Sequence, residues 1–386
     1  MRIRVLVFTD SPVYGGHEVT LCDAVEGLLQ QGIEIIAVIS TENSRLLARF
    51  EGLLPPTHLF LTNYSTAKGD VFRAIFRSKK VRDLSSLFRS FSPDIILISQ
   101  GAIGLSACGL AAAKHAGIML LSFLPMAHPV TLVRGKRTVG CLLQDFCYSF
   151  LYALPDGFLT ICETTASVLQ SQHGVAKRKI GVAYYGLHFP QLPSINYNFE
   201  KLRQHAARPR VGLVGRVEFE QKQHHWFFNA IATSNFAKEF DYFVIGDGPD
   251  FNACRELTDS LGLHERVVYV GWVDNVTEWY KRLDVLALPS RFEGLPVVLI
   301  EGLFHGVPIV ASRVDGMGEL LPQEWLFDPG DCGSMLRRLQ EVLTADQTAR
   351  VRDLQKMASE KLRKESYQQA IYTNLLSLYR DKRKNL

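Results

Sequence analysis

The chain has 386 residues, 47% of them hydrophobic, which predicts two packed domains and excludes a disordered polymer. Its formal net charge of +4 is too slight and too dispersed to call for nucleic acid as a partner. Seven cysteines without a Cys-x-x-Cys pair, mostly in apolar stretches, predict reduced intracellular thiols rather than a disulfide framework.

In chain order, Arg2 to Asp10 reads as a first strand, its apolar part too short for a signal peptide. A Gly15-Gly16-His17-Glu18 turn follows, then a helical pattern through Leu21, Val25, Leu28 and Leu29, closed by Gly32 before a second strand, Ile33 to Ile39. This is a βαβ unit. Adjacent glycines at the carboxyl end of a strand let backbone N–H groups approach a ligand, although they serve a plain turn equally well. Their spacing departs from Gly-x-Gly-x-x-Gly, which counts against a nicotinamide enzyme.

Residues 68–91 carry seven Lys or Arg against Asp70 and Asp83, interleaved with Phe72, Ile75, Phe76, Leu84, Leu87 and Phe88. That is a basic amphipathic helix or helix pair, with two readings: a solvated face packed on one side, or peripheral contact with an anionic membrane. Strands at 94–99, 118–123, 157–161 and 179–184 then alternate with helices at 104–116, 141–154 and 164–173. The irregular Leu124 to Pro129 segment among them contains His128. The apolar stretch at 139–154 is broken by Gln144 and Asp145 and is too short to span a bilayer, so the expectation is a cytoplasmic protein, soluble or peripheral on the inner face of a membrane.

Residues 1–188 form the expected first domain, Pro190 to Phe199 the linker, and 189–365 the second domain, which restarts with a strand at Arg210 to Gly215 and runs in βα units to Gly330. The tail from Ser334 to Asn385 reads as helical throughout, with 366–386 a helix returning to the first domain across the junction.

The second domain holds the residues with chemistry to offer. Asp284 to Pro289 is a short buried strand, Ser290 to Leu295 a loop, and Pro296 the start of a helix, where a missing N–H costs nothing and the following N–H groups carry partial positive charge. An anion can rest at such a mouth. Glu293 in the loop and Glu301 one turn inside the helix are separated by seven residues. Carboxylates beside a bound phosphate are repelled by it, so these two suit hydroxyl groups, such as those of sugars. Gly215-Arg216 and Lys222 follow the Arg210 to Gly215 strand and put two cations at its carboxyl end, suited to holding a diphosphate and the charge that grows on it as a bond breaks. Either pair alone is more often solvated surface.

Together, in order and spacing, Gly215-Arg216 with Lys222, Gly246-Asp247-Gly248-Pro249, Val268 to Val273, Leu288-Pro289-Ser290, Glu293 to Glu301 and Gly306 to Ser312 resemble the nucleotide-sugar half of the retaining glycosyltransferases of family 4, whose signature is Glu, seven residues, Glu. The first domain is similar through Gly15-Gly16-x-Glu18. The resemblance implies an α/β GT-B fold, two Rossmann-like βαβ domains facing a cleft, with the C-terminal helix packing back across the junction. It also implies transfer of a sugar from a nucleotide-diphosphate donor to the hydroxyl of a glycan, glycolipid, lipid-linked sugar or small molecule.

By the same resemblance Arg216 and Lys222 bind the donor diphosphate, Glu301 the ribose hydroxyls, and Glu293 with Gly294, Leu295 and Pro296 the donor sugar. Gly271, Trp272 and Val273 flank the base, and Gly15, Gly16, Gly246 and Gly248 complete the donor site. Related sequences often carry a histidine at the position of Leu124. His128, four residues later, is either its substitute or a loop residue. No Asp-x-Asp occurs, so the carboxylate clamp for a divalent metal is missing and neither a metal nor a cofactor is expected. Two other readings stay open: a sugar-nucleotide epimerase or hydrolase of the same fold, and a non-catalytic sugar-nucleotide-binding protein.

Overall fold

Strands without alternation, such as Val5 to Phe8 and Ile95 to Ser99, belong in parallel sheets covered on both faces, and two such sheets form. The computed structural model describes residues 3–189, 193, 197 and 208–384. Of the linker expected at 190–199, all but Pro193 and Tyr197 lies outside the described residues. The chain divides into two compact units, Met1–Tyr185 with Lys364–Leu386, and Gly186–Arg363.

The first unit contains β1 (Arg4–Thr9), β2 (Glu34–Ser40), β3 (Leu59–Thr62), β4 (Ile95–Ser99), β5 (Met119–Phe123), β6 (Gly157–Thr160) and β7 (Ile180–Val182), ordered β3-β2-β1-β4-β5-β6-β7. The second contains β8 (Arg210–Val214), β9 (Asp241–Ile245), β10 (Val267–Gly271), β11 (Val285–Leu288), β12 (Ile309–Ser312) and β13 (Leu326–Phe327), ordered β10-β9-β8-β11-β12-β13. All pairings are parallel, each sheet winds outward from its first strand, and helices connect the strands. In both sheets the order reverses beside that first strand, β1 against β4 and β8 against β11. Open α/β sheets bind their ligands outside the carboxyl ends at such a switch point.

The tail is three helices rather than one, Cys332–Thr344, Thr348–Lys361 and Lys364–Lys384, with breaks after Thr344 and Lys361. The last of them packs on the first unit, against helix Gly16–Gln30 and strands β6 and β7. Tyr367 donates to the Thr20 carbonyl at 2.9 Å, Gln368 to the Asp23 carbonyl at 3.0 Å, and Lys364 bridges Asp23 at 2.9 Å and Glu26 at 2.6 Å. A Cβ on Gly27 would lie 2.5 Å from Gln368, so the small residue sets how near the helices come. Among the described residues all seven cysteines are free and no helix is long and apolar enough to cross a membrane.

Candidate functional site

Two loops meet at the switch point of the second sheet, residues 215–222 after β8 and 289–296 after β11. Arg291 N–H donates to the Gln221 carbonyl at 2.8 Å. The Lys222 ammonium lies 2.5 Å from Glu293 Oε1, and the Gln221 amide donates to Glu293 Oε2 at 3.2 Å and to the Phe292 carbonyl at 3.3 Å. Glu293 is 5% exposed, and its own N–H donates to Asp315 Oδ2 at 2.8 Å. Asp315 adopts φ 45°, a left-handed conformation that costs a non-glycine residue energy. Sequence reasoning gave Lys222 and Glu293 separate duties, whereas here they form one ion pair, because the loops that carry them leave neighbouring strands.

The loop after β8 is stapled to the one after β9. Val217 N–H donates to the Asp247 carbonyl at 3.0 Å, Asp250 N–H to the Val217 carbonyl at 3.1 Å, and Phe219 N–H to Asp250 Oδ2 at 2.6 Å. A Cβ on Gly246 would lie 2.0 Å from the Gly215 carbonyl oxygen, and one on Gly248 2.3 Å from that of Val217. These two glycines allow the backbones to touch and so set the course of the segment that carries Arg216. Gly246 also has φ 136°, so Gly246→Ala is expected to cost about 3 kcal/mol of unfolding free energy in urea titrations.

Pro296 caps helix Val297–Phe304, so the helix proper begins one residue after the proline. Gly294, Leu295 and Pro296 are buried along the approach to it. On this helix Glu301 accepts from the Tyr280 hydroxyl at 2.8 Å. Burial pushes the Glu301 carboxyl up to about 7, outweighing the Tyr280 hydrogen bond that acts to lower it. His305 stacks on Tyr280 with ring centroids 5.2 Å apart.

Arg216 is half exposed, with its guanidinium 3.7 Å from the Glu218 carboxylate. Gly271 accepts from Gly246 N–H at 2.8 Å, which puts the Gly271 to Val273 segment beside the β9 loop. Trp272 is 61% exposed and donates to Asp274 at 3.3 Å. Tyr280, Gln221, Asp250 and Asp315 were missed in the sequence. None stands in a recognisable motif, and only the loop packing gives them partners.

In the first unit, Gly15 caps helix Gly16–Gln30 and donates its N–H to Glu18 Oε2 at 2.9 Å, so the paired glycines build a capped turn at the end of β1. His128 is partly buried beyond β5. The basic segment forms helices Asp70–Ile75 and Lys79–Ser90, and one of its cations turns inward: Lys80 bridges Asp10 at 3.1 Å and Asp70 at 2.8 Å. Asp10 is fully buried and also accepts from Ser106 and Thr66, each at 2.6 Å. Burial works against the Lys80 charge, but Asp10 and Asp70 outweigh it and hold the ammonium above its usual value. Lys80 therefore does not face a membrane, contrary to a uniformly basic helix surface.

Comparison with known proteins agrees with this architecture. The family model described as Glycosyltransferase Family 4 matches residues 14–189, and that described as Glycosyl transferases group 1 matches 208–345. A 2-deoxystreptamine glucosyltransferase of Streptomyces kanamyceticus is 28% identical over 198 residues, 48% of this chain and 51% of that protein. A lipopolysaccharide 1,6-galactosyltransferase of Salmonella typhimurium is 31% identical over 149 residues, 36% of this chain and 41% of its own length. The chain thus spans about half the length, or less, of these curated relatives. The crystal structure of Anabaena Alr3699/HepE in complex with UDP and glucose has a TM-score of 0.72 at 18% identity, covering 97% of this chain and all of that one. The two glycosyltransferase domain models between them account for most of the chain, and its pair of parallel sheets with their helices is the GT-B fold.

Proposed function

We propose that the protein transfers a hexosyl group from a nucleoside-diphosphate sugar to an acceptor hydroxyl with retention of anomeric configuration and without need of a metal. The observation that carries this reading is the Lys222–Glu293 pair at the switch point of the second sheet, in the loop that leads into the helix of the partly buried Glu301. A cation and two hydroxyl-binding carboxylates are what a diphosphate, a sugar and a ribose require.

In this scheme Arg216 and Lys222 meet the diphosphate, Glu301 takes the ribose hydroxyls, and Glu293, relieved of its cation, orients the sugar together with the Gly294 and Leu295 backbone. The bond from the anomeric carbon to the diphosphate oxygen breaks as the acceptor oxygen approaches from the same face, and the acceptor proton passes to the leaving diphosphate. Arg216 and Lys222 stabilise the charge that grows there. Glu293 is a positioning group and not a covalent nucleophile. His128 is proposed to reach either donor sugar or acceptor.

The names of the relatives support the acceptor class, a glycan, glycolipid or small polyhydroxylated molecule, and the UDP-bound neighbour supports a uridine donor. Peripheral contact with an anionic membrane through 68–91 belongs to the same reading, without Lys80.

A thermal-shift screen over nucleoside diphosphates and their sugars, followed by NMR of the product, tests the proposal. A UDP-hexose should stabilise the fold, the new linkage should keep the donor's anomeric configuration, and the rate should survive EDTA. Arg216→Ala should lower kcat roughly a hundredfold. Full turnover in Arg216→Ala, or donor consumption that never needs an acceptor, would reject it.

A further inference from the structure

Helix Val139–Tyr152 of the first unit is apolar on two sides. Cys141, Cys147, Leu151 and Tyr152 face the core, while Val139, Leu142, Leu143, Phe146 and Phe150 recur at helical spacing along the opposite side and are exposed, Val139 at 82% and Phe146 at 62%. Helix Asp70–Ile75 packs against this helix and adds Phe72 and, just past its end, Phe76, which is 78% exposed. Contiguous apolar surface of this extent signals an interaction site. An open cavity of about 450 Å³ lies where the two helices meet, lined by Ile75, Phe150 and Leu154 together with Arg77, Lys114 and His115.

The surrounding exposed charge is basic, since the acids Asp70 and Asp156 that pair with Arg73 and Lys114 are themselves largely buried. Arg134, Lys136 and Arg137 lead into the helix, Arg73, Arg77 and Lys79 flank the other element, and all are exposed or half-exposed. Between residues 130 and 152 the only acid is Asp145, and its carboxylate already accepts the Val130 N–H at 2.5 Å and the Thr131 N–H at 3.3 Å. A second copy of this chain would set these cations against their equivalents across a two-fold axis, which disfavours self-association. An anionic phospholipid surface offers both an apolar interior and a negative boundary.

We propose that this face docks on an anionic bilayer, with the outer ridge of helix Val139–Tyr152 and Phe76 sinking to the acyl boundary, and with the cavity taking one acyl chain whose headgroup phosphate meets Arg77 and Lys114. It extends the contact proposed above from the basic segment to a second helix and a lipid pocket, and it does not depend on the sugar-transfer chemistry.

The test is co-sedimentation of the full chain with phosphatidylcholine vesicles with and without phosphatidylglycerol, at low and high salt. Binding should require the anionic lipid and weaken with salt. It should fall at least roughly tenfold in Arg77→Glu/Lys136→Glu/Arg137→Glu, and be lost in Phe146→Glu/Phe150→Glu. All four tryptophans lie between Trp226 and Trp325, in the second unit, so Phe146→Trp adds a reporter to a face without one. Brominated acyl chains should quench Phe146→Trp and leave the wild type unchanged. Thermal melts, and the nucleotide-induced shift measured without vesicles, show that each variant is folded and keep this result separate from the donor-site reading. Equal binding to neutral vesicles, no quenching of Phe146→Trp, or a dimer in sedimentation equilibrium that Phe146→Glu/Phe150→Glu dissolves without any vesicle binding would each overturn the proposal.

Discussion

Lys222→Ala is expected to lower kcat two to three orders of magnitude and to destabilise the second unit as well. In the proposed scheme the kinetic loss follows from removing a cation that meets the departing diphosphate, a type of interaction worth roughly a hundred- to a thousandfold. The stability loss has a separate origin. Lys222 is 19% exposed along its side chain and Glu293 6%, so deletion leaves a carboxylate largely out of water without its cation. Removing one member of a buried pair commonly costs 3–5 kcal/mol, and the partial solvation of Lys222 reduces this to about 2 kcal/mol.

The double variant Lys222→Ala/Glu293→Gln separates the two effects, since a neutral amide no longer needs the ammonium. Its urea midpoint should return most of the way to wild type while its kcat stays low. Recovery of turnover in the double variant would show that Lys222 serves only to neutralise Glu293. Wild-type kcat in the single variant would remove Lys222 from the chemistry altogether.

Glu301→Gln should trade affinity for stability, and the sign of each depends on pH. Burial raises the Glu301 carboxyl to about 7 from 4.5, so the folded protein binds more protons than the unfolded chain between those values. This contribution to stability is therefore fully present below pH 4.5 and is lost as pH rises to 7. Above pH 7 the folded state carries the whole cost of an ionised buried carboxylate. That cost is about 2 kcal/mol once the part of Glu301 that still reaches solvent is discounted.

Glu301→Gln removes it and should raise the melting temperature at pH 8 while leaving it nearly unchanged at pH 4.5. In the proposed scheme ribose hydroxyls donate to the ionised form, so nucleotide affinity in the wild type should increase from pH 6 to pH 8. In Glu301→Gln affinity should be at least tenfold weaker at pH 8 and nearly flat with pH. Calorimetric titrations with UDP at three pH values measure this. A wild-type affinity that falls as pH rises would remove Glu301 from the ribose site.

Much of this protein was legible from its residues in order. Unbroken apolar runs such as Val5 to Phe8, punctuated by Gly32 or by Pro296, force parallel strands and helix starts because their period and backbone limits allow little else. The same local logic put Arg216 and Lys222 after one strand, and Glu293 and Glu301 in and beyond the loop of another. Helix ends were less legible. The helix expected from Gly104 begins at Ala107, and the tail breaks twice, because exposed termini depend on tertiary partners for their unpaired backbone groups.

What only the tertiary structure decided was pairing. That Lys222 rests on Glu293 follows from β8 and β11 being neighbours although some seventy residues separate them, a matter of strand order that no local pattern records. Tyr280 beside Glu301, Asp315 beneath Glu293, and Lys80 drawn inward between Asp10 and Asp70 have the same origin. A side chain's charge is written in its own letter, but its solvation and its partners are set by chains of contacts between distant segments. The sequence by itself thus determined the fold class and the kinds of groups at the site, and the packing determined which of those groups are free to act.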